Sequence, residues 1–396
     1  MNKDSVLVIN CGSSSLKFAA INPKTEEESI SGIAERLVGT EASITWKLNG
    51  KKQALNLSAA GHESAIEALV GVLRNNNLMG RIEAIGHRVV HGGEKFTKST
   101  LIDDDVIKGI EDCNHLAPLH NPAHLLGIRA CMKYFPGLLQ SAVFDTAFHQ
   151  TMSPENYLYA IPYNLYKEHG LRRYGMHGTS YRYINKTSVE MLGLDHHNNA
   201  ILVAHLGNGA SACAIKNGKS IDTTMGLTPL EGLVMGTRSG DIDPNVFSFL
   251  NRQCGYSLDE ITDILNKKSG LLGLSEMDND CRVIEDAAAQ GNERAQLTIN
   301  VFCNVLAKKL AGFASELGRI DALVFTGGIG ENSSVIRKNV LDRLSIFGFE
   351  IDEKANKETF HGKSGVITKP DSTVAMVVAT NEELMIARDT EALIDS

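Results

Sequence analysis

Two stretches decide the architecture of this chain: Val6-Leu-Val-Ile-Asn10-Cys-Gly12-Ser-Ser14-Ser-Leu16 and Ile201-Leu-Val-Ala-His205-Leu-Gly207-Asn-Gly209-Ala-Ser211. They run in register at an offset of 195 residues (201 − 6). Each is four apolar residues, a polar residue, an apolar one, a glycine, small polar residues and a second apolar stretch (Phe18 to Ile21; Ala212 to Ile215). Short apolar runs on either side of a glycine turn read as strand, tight turn, strand. One copy at the start of each half predicts a duplicated, two-lobed protein.

The rest of the chain supplies what such lobes need. Ala84 to Val90, Ser141 to Asp145 and Ala322 to Thr326 are short apolar runs that end in polar residues, as buried strands of a parallel or mixed sheet do. Ile66, Leu69, Val70 and Leu73 fall at i, i+3, i+4, i+7 and predict an amphipathic helix. Asp243-Pro244 reads as an N-cap followed by proline in the first helical position, and Asn49-Gly50 and Asn217-Gly218 read as hairpin turns. The fold class is therefore α/β, with helices covering sheets. The repeat offset and the turn-rich Ser153-Pro154-Glu155-Asn156 put a boundary near residue 150.

Composition narrows the function classes. A chain of 396 residues, 43% apolar and 22% charged, is long enough for two large domains and is neither disordered nor fibrous. Thirty-nine Lys and Arg against 47 Asp and Glu leave a net charge of −8, with no basic excess for a nucleic-acid backbone. Any anionic ligand must meet local cations. The apolar run at Val6–Ile9 is too short for a signal-peptide core, and uncharged stretches such as Ala295 to Ala307 still carry Gln296, Thr298, Asn300 and Asn304. No membrane or nucleic-acid partner and a cytoplasmic location are expected. Seven scattered cysteines without a C-x-x-C pair fit reduced thiols.

Chemistry concentrates at the glycine loops, where backbone N–H groups can cradle phosphate oxygens. The first turn brings Ser13, Ser14, Ser15 and Lys17, and the second brings His205 and Asn208. A third loop, Thr326-Gly-Gly-Ile-Gly-Glu-Asn332, follows a strand and opens an apparent helix from Ser333 to Leu344, the geometry for a nucleotide at a helix N-terminus. Neither Gly218-Lys-Ser220 nor Gly362-Lys-Ser364 has the upstream glycine of a Walker A loop. Arg88, Arg238 and His177 all sit among glycines. An arginine in such a segment needs an anion, either a structural carboxylate or a substrate. Asp145 ends an apolar strand, where open α/β sheets present residues to ligands. His87/His91 and His120/His124 lack the glutamate of a zinc motif and read as core or loop histidines; His196-His197 reads as a solvated turn.

From Val6 to Arg388 these residues resemble the acetate kinases. The carriers include Asn10-Cys-Gly-Ser-Ser-Ser-Leu-Lys17, His87-Arg-Val-Val-His-Gly-Gly93, Leu119-His-Asn-Pro122, Phe144-Asp-Thr-Ala-Phe-His149, His205-Leu-Gly-Asn-Gly209, Gly236-Thr-Arg-Ser-Gly-Asp-Ile-Asp-Pro244, Phe325-Thr-Gly-Gly-Ile-Gly-Glu-Asn332 and Thr380-Asn-Glu-Glu383. The resemblance implies an actin-like fold of two ribonuclease-H-like lobes with the active site in a cleft. The first lobe would be 1–150 plus 381–396, with the carboxylate substrate, phosphate and metal residues. The second, 151–380, would bind nucleotide and dimerise.

The implied reaction is reversible transfer of the ATP γ-phosphoryl group to acetate, in line, giving acetyl phosphate and ADP in a homodimer with Mg²⁺, or alternatively Mn²⁺, as cofactor. By resemblance Asp145, His177 and Arg238 are catalytic; Arg88 binds the carboxylate; Val90, Leu119, Met176 and Pro229 form the acyl pocket; Asn10 and Glu382 serve the metal. Phosphate contacts map onto Lys17 and onto His205, Leu206, Gly207, Asn208 and Gly209. Adenosine contacts map onto Asp280, Cys281 and Arg282 and onto Gly328, Ile329, Gly330, Glu331 and Asn332. Some relatives carry a different residue at Met176, and many have His at Tyr181, which reads as part of a helix start and of lesser weight. Alternatives are a propionate kinase on the same lobes and a non-catalytic ATP switch, against which Arg88, Arg238 and Asp145 together argue.

Overall fold

A computed structural model describes residues 3–39, 41–118 and 120–396. The chain divides into two compact units, Met1–Gln150 with Asn381–Ser396, and Thr151–Thr380. The first holds β1 (Ser5–Cys11), β2 (Ser15–Ile21), β3 (Glu28–Glu35), β4 (Ser43–Leu48), β5 (Lys51–Asn56), β6 (Ile82–Val89), β7 (Thr100–Leu101) and β8 (Leu139–Phe144), in the sheet order β5-β4-β3-β2-β1-β6-β8-β7. β1 is antiparallel to β2 and parallel to β6, which is in turn parallel to β8. Asn49 and Gly50 both have positive φ, the backbone of the two-residue turn joining β4 to β5.

Two helices, α1 (His62–Asn75) and α2 (Asn121–Tyr134), cover this sheet. The stripe Ile66, Leu69, Val70 and Leu73 of α1 is buried in one cluster with Leu7, Ile9, Phe18 and Ile44. Each such side chain contributes roughly 1.5–3 kcal/mol of burial, which is why the 3.6-residue period decides the face. The C-terminal helix, Glu382–Ile394, returns to the same sheet and packs on β6 and β1. Gly86 makes that approach possible: a Cβ there would lie 2.5 Å from Thr390 Oγ1 and 2.7 Å from Ile386 Cγ2.

The second unit repeats the pattern with β9 (Ala200–Leu206), β10 (Ala210–Lys216), β11 (Lys219–Thr223), β12 (Ala322–Thr326), β13 (Gly365–Val366) and β14 (Ala375–Val377), ordered β11-β10-β9-β12-β14-β13. The run β11-β10-β9-β12-β14 has the same antiparallel and then parallel plan as β3-β2-β1-β6-β8. Its helices include α3 (Gly178–Leu192), α4 (Asn245–Cys254), α5 (Cys281–Ala289), α6 (Glu293–Leu317), α7 (Gly327–Asn332) and α8 (Ser334–Arg343).

Two local expectations are corrected, at residues 153–156 and 327–332, and two others are refined. Ser153–Asn156 is not an open turn: Ser153 caps a helical turn, Pro154–Tyr157, with proline in its first position. Helix α4 opens as Asp243-Pro244 suggested: Asp243 Oδ1 accepts the Asn245 N–H at 2.8 Å as an N-cap does, Pro244 already has helical backbone angles, and the helix buries none of its residues fully. Residues 327–332 form α7 instead of a loop, so the following helix starts at Ser334 and ends at Arg343. Helix α6 is, by length and composition, long and apolar enough to cross a membrane. Its buried residues, among them Ala295, Ile299, Phe302, Leu306, Leu310 and Phe313, recur every three or four positions as a core stripe does.

Six of the seven cysteines are buried, Cys254 is exposed, and none is paired. His87, His91 and His124 are buried, and no group of three or more His, Cys, Asp or Glu among the described residues could hold a metal ion.

Gly86→Val tests the packing of the C-terminal helix. Overpacking here should lower stability by about 1–3 kcal/mol or more, read as a lower midpoint of thermal or urea unfolding; an unchanged midpoint would mean the helix does not seat on β6 as described.

Candidate active site

In the first unit the polar residues that end the apolar strands come together. Asn10 near the end of β1 lies directly across from Lys17 on β2. Arg88 lies on β6 beside β1, and Asp145 follows β8, its N–H donating to the Val89 carbonyl at 2.9 Å. Parallel strands all point their carboxyl ends the same way, so Asn10, Arg88 and Asp145 emerge at one edge of the sheet. Arg88 Nη2 donates to Asp145 Oδ2 at 2.6 Å and Nε to the same oxygen at 3.1 Å, while Nη1 reaches Asn10 Oδ1 at 3.4 Å. Asp145 is fully buried, whereas the Arg88 side chain keeps 22% of its surface exposed.

Glu382 opens the C-terminal helix behind the Asn381 cap. Burial pushes its carboxyl up to about 7, with Arg88 and Lys17 pulling down and Asp145 and Glu383 pushing up. No described residue donates a hydrogen bond to it. Burial alone would disfavour the Arg88 charge, but the carboxylates of Asp145 and Glu382 hold its pKa above the ordinary value. Val90 is buried two residues beyond Arg88. Leu119 lies outside the described residues.

The second unit builds a different cationic set around the turn between β9 and β10. Gly209 lies beside both cations: a Cβ on it would stand in van der Waals contact with them, 3.4 Å from Arg238 Nη1 and 3.8 Å from His177 Nε2. Arg238 Nη1 donates to the Pro229 carbonyl at 3.3 Å, and no described carboxylate pairs with it. Burial draws its pKa down. Its loop is tied to the turn, since the Gly236 N–H donates to the Asn208 carbonyl at 2.9 Å. Asn279 Nδ2 donates to Asn208 Oδ1 at 3.0 Å.

His177 sits in the left-handed region, φ 61°, as the residue preceding α3. Its Nδ1 lies 2.8 Å from Ser211 Oγ, and its ring stacks on His205 with centroids 4.3 Å apart. Met176 is buried beside it, and Pro229 is half-buried.

The two stretches assigned to adenosine meet through Glu285. Asp280 caps α5 and pairs with Arg282 at the surface, while the Cys281 thiol and the Ser333 hydroxyl both donate to Glu285 Oε1. Gly327, with φ 76°, seats the start of α7 against Leu206: a Cβ there would come within 2.9 Å of that backbone. Gly328 faces open space.

Sequence reasoning missed several supports. Arg337 is fully buried without a carboxylate partner among the described residues, and Nη1 donates to the Gly330 and Glu331 carbonyls at 2.9 Å, fixing the last turn of α7. Tyr181 lies in the first turn of α3, as expected, and its buried hydroxyl bonds Ser211, the partner of His177. A hydrophobic run around Ile336 and Val340 hinted at burial of α8, but nothing local marked Arg337 as inward.

The family model of the acetokinase family matches residues 5–388. The chain belongs to that family. It is 56% identical, over the full length of both chains, to an acetate kinase of Shewanella sp. (strain W3-18-1). Among solved structures it is similar to an acetate kinase of Porphyromonas gingivalis, with 45% identity and a TM-score of 0.94, covering 99% of this chain and 100% of that one. A propionate kinase of Francisella tularensis subsp. tularensis SCHU S4 matches at 47% identity and a TM-score of 0.94, with the same coverage. The acetokinase fold is the duplicated, actin-like α/β architecture that the two matching sheets display.

Gly236→Ala probes the coupling of the Arg238 loop to the turn between β9 and β10, because its Cβ would lie 1.9 Å from Asn208 Oδ1. Turnover should fall by about a hundredfold or more with a small change in unfolding midpoint, since the misplacement is local; full turnover would show that the turn and the loop move independently.

Proposed function

We propose that this chain is an ATP:acetate phosphotransferase, forming acetyl phosphate and ADP reversibly. One observation carries the reading: the chain holds two separate cationic stations, Arg88 anchored by Asp145 and Arg238 left without a carboxylate among the described residues. The reaction joins two anions, so their repulsion must be cancelled by charges fixed in advance. Arg88, oriented by Asp145, presents the edge of its guanidinium to the acetate carboxylate. Arg238 and His177, both beside Gly209, neutralise charge on the phosphoryl group as it leaves ADP.

Acetate is already ionised at neutral pH and needs no base. Asp145 spends its carboxylate on Arg88 and acts by orientation. Lys17 and the 205–209 turn hold the phosphates, while Asp280–Arg282 and α7 flank the nucleoside. Val90, Leu119, Met176 and Pro229 would enclose the methyl group, with acetate preferred to propionate.

The acidic and amide oxygens of Glu382 and Asn10 suit a hard divalent cation. Among the described residues none donates a hydrogen bond to the Glu382 carboxylate, and a site of few protein oxygens leaves room for waters. Bound there, Mg²⁺ would offset phosphate charge and orient the triphosphate. A cytoplasmic homodimer is the working state we propose.

The deciding assay incubates the protein with Mg·ATP and acetate, propionate, butyrate or no acceptor, trapping acyl phosphate as the hydroxamate. Acetate-dependent hydroxamate and ADP are expected, with propionate slower by about 10–100-fold, the worth of one methylene. ADP release without acceptor dependence would replace this reading with an ATP switch.

Arg88→Lys keeps the charge and loses the fork. Its KM for acetate should rise about tenfold or more with KM for ATP within about threefold; an unaltered acetate dependence would remove Arg88 from the carboxylate site. A metal needs the ionised form of Glu382, whose pKa is raised to about 7, so Mg²⁺ dependence should tighten as pH climbs through 7. Glu382→Gln should flatten that profile, and a wild-type profile already flat from pH 6 to 8 would contradict the assignment.

A further inference from the structure

We infer that Glu331 is a positioning residue and not the nucleotide contact that the resemblance suggests: its carboxylate fastens α7 to Thr380, where the chain leaves the second unit for Glu382. The inference rests on reading α7 as part of the nucleotide site.

Glu331 Oε1 turns back over its own helix. It accepts the Gly327 N–H at 3.1 Å and the Thr380 N–H at 3.1 Å, with the Thr326 hydroxyl at 3.5 Å. The first orphan donor of α7 is thereby satisfied by a carboxylate. That negative charge repels a phosphate from the same place, so phosphate binding is left to the 205–209 turn. The nucleoside keeps the other side of α7, where Gly328 faces open space.

The strap continues beyond Thr380. Thr380 Oγ1 lies 3.0 Å from Ser180 Oγ, which lies 2.9 Å from His205 Nδ1. His205 stacks on His177. Two residues after Thr380 comes Glu382, behind the Asn381 side chain that caps its helix. One carboxylate therefore registers the nucleoside helix with Thr380 and, through Ser180, with the phosphate-turn histidine. Its loss should loosen ATP seating without touching acetate recognition at Arg88.

The test compares Glu331→Ala with Glu331→Gln in the full chain, since the Gln amide oxygen still accepts from both N–H groups. Amide hydrogen exchange in the ligand-free protein reads the strap itself: Gly327 and Thr380 should exchange at least about tenfold faster in Glu331→Ala and within about threefold of wild type in Glu331→Gln. Kinetics read its consequence. KM for ATP should rise about tenfold in Glu331→Ala and recover in Glu331→Gln, with KM for acetate unchanged.

The preference for ATP over 2′-deoxy-ATP and 3′-deoxy-ATP should stay at its wild-type value in both variants. Loss of that preference in Glu331→Ala would make Glu331 a direct ribose contact and overturn the inference, as would unchanged exchange at Gly327 and Thr380. Should Glu331→Ala fail to fold, Glu331→Asp, one methylene too short, serves the same comparison. A wild type without acceptor-dependent turnover would sink the proposed reaction, while the exchange data would still decide the strap.

Discussion

The ion pair between Arg88 and Asp145 is the constraint around which the first unit is arranged. Asp145 has no exposed surface, and an unpaired carboxylate there would be costly by several kcal/mol. Pairing it with Arg88 across neighbouring parallel strands fixes β6 against β8 in one register, and the same guanidinium reaches Asn10 on β1. A buried pair of this kind contributes little net stability compared with well-packed apolar residues. Its value is orientation: the guanidinium is held by one edge and offers the other. Gly86, two residues before Arg88, lets the C-terminal helix close on the same strand and bring Glu382 to the group.

The second unit solves the opposite problem. Arg238 is half-buried with no carboxylate among the described residues to answer it, and its Nη1 donates to the Pro229 carbonyl and the Met235 sulfur. Arg337 shows what a purely structural buried arginine looks like in the same unit, with its donors spent on backbone carbonyls and Asn356. Arg238 spends few of its donors in this way. A cation left short of partners next to a glycine turn is open to an anion, which is the basis on which we propose it meets the transferring phosphoryl group.

Much of this was legible in the sequence because the decisive signals are short-range. The two strand–glycine–strand copies, the Asn-Gly hairpins and the α1 stripe are set by neighbours within a few residues, and each stands where it was expected. What escaped depends on distant partners. Gly327–Asn332, glycine-rich and poor in helix propensity, is helical because Glu331 caps its start and Arg337 holds its end. Arg337 is inward because Asn356 and Thr359, about 20 residues away, supply oxygens. The Tyr181 contact with Ser211 could not be read from its place after Gly178-Thr-Ser180, since only the fold brings the two together. The roles of individual site residues came from family resemblance, and the geometry adds which of them share a unit and what orients each.

The central claim, that Arg238 is kept short of partners for the sake of the transferring phosphoryl group, is tested most directly by thermal unfolding of ligand-free Arg238→Met, paired with its turnover. Removing a desolvated charge while keeping side-chain bulk should leave the unfolding midpoint at or above that of wild type, while turnover falls by about a thousandfold or more. A midpoint lowered as far as by a core truncation, with turnover largely retained, would mean that Arg238 is a structural residue and would contradict the account.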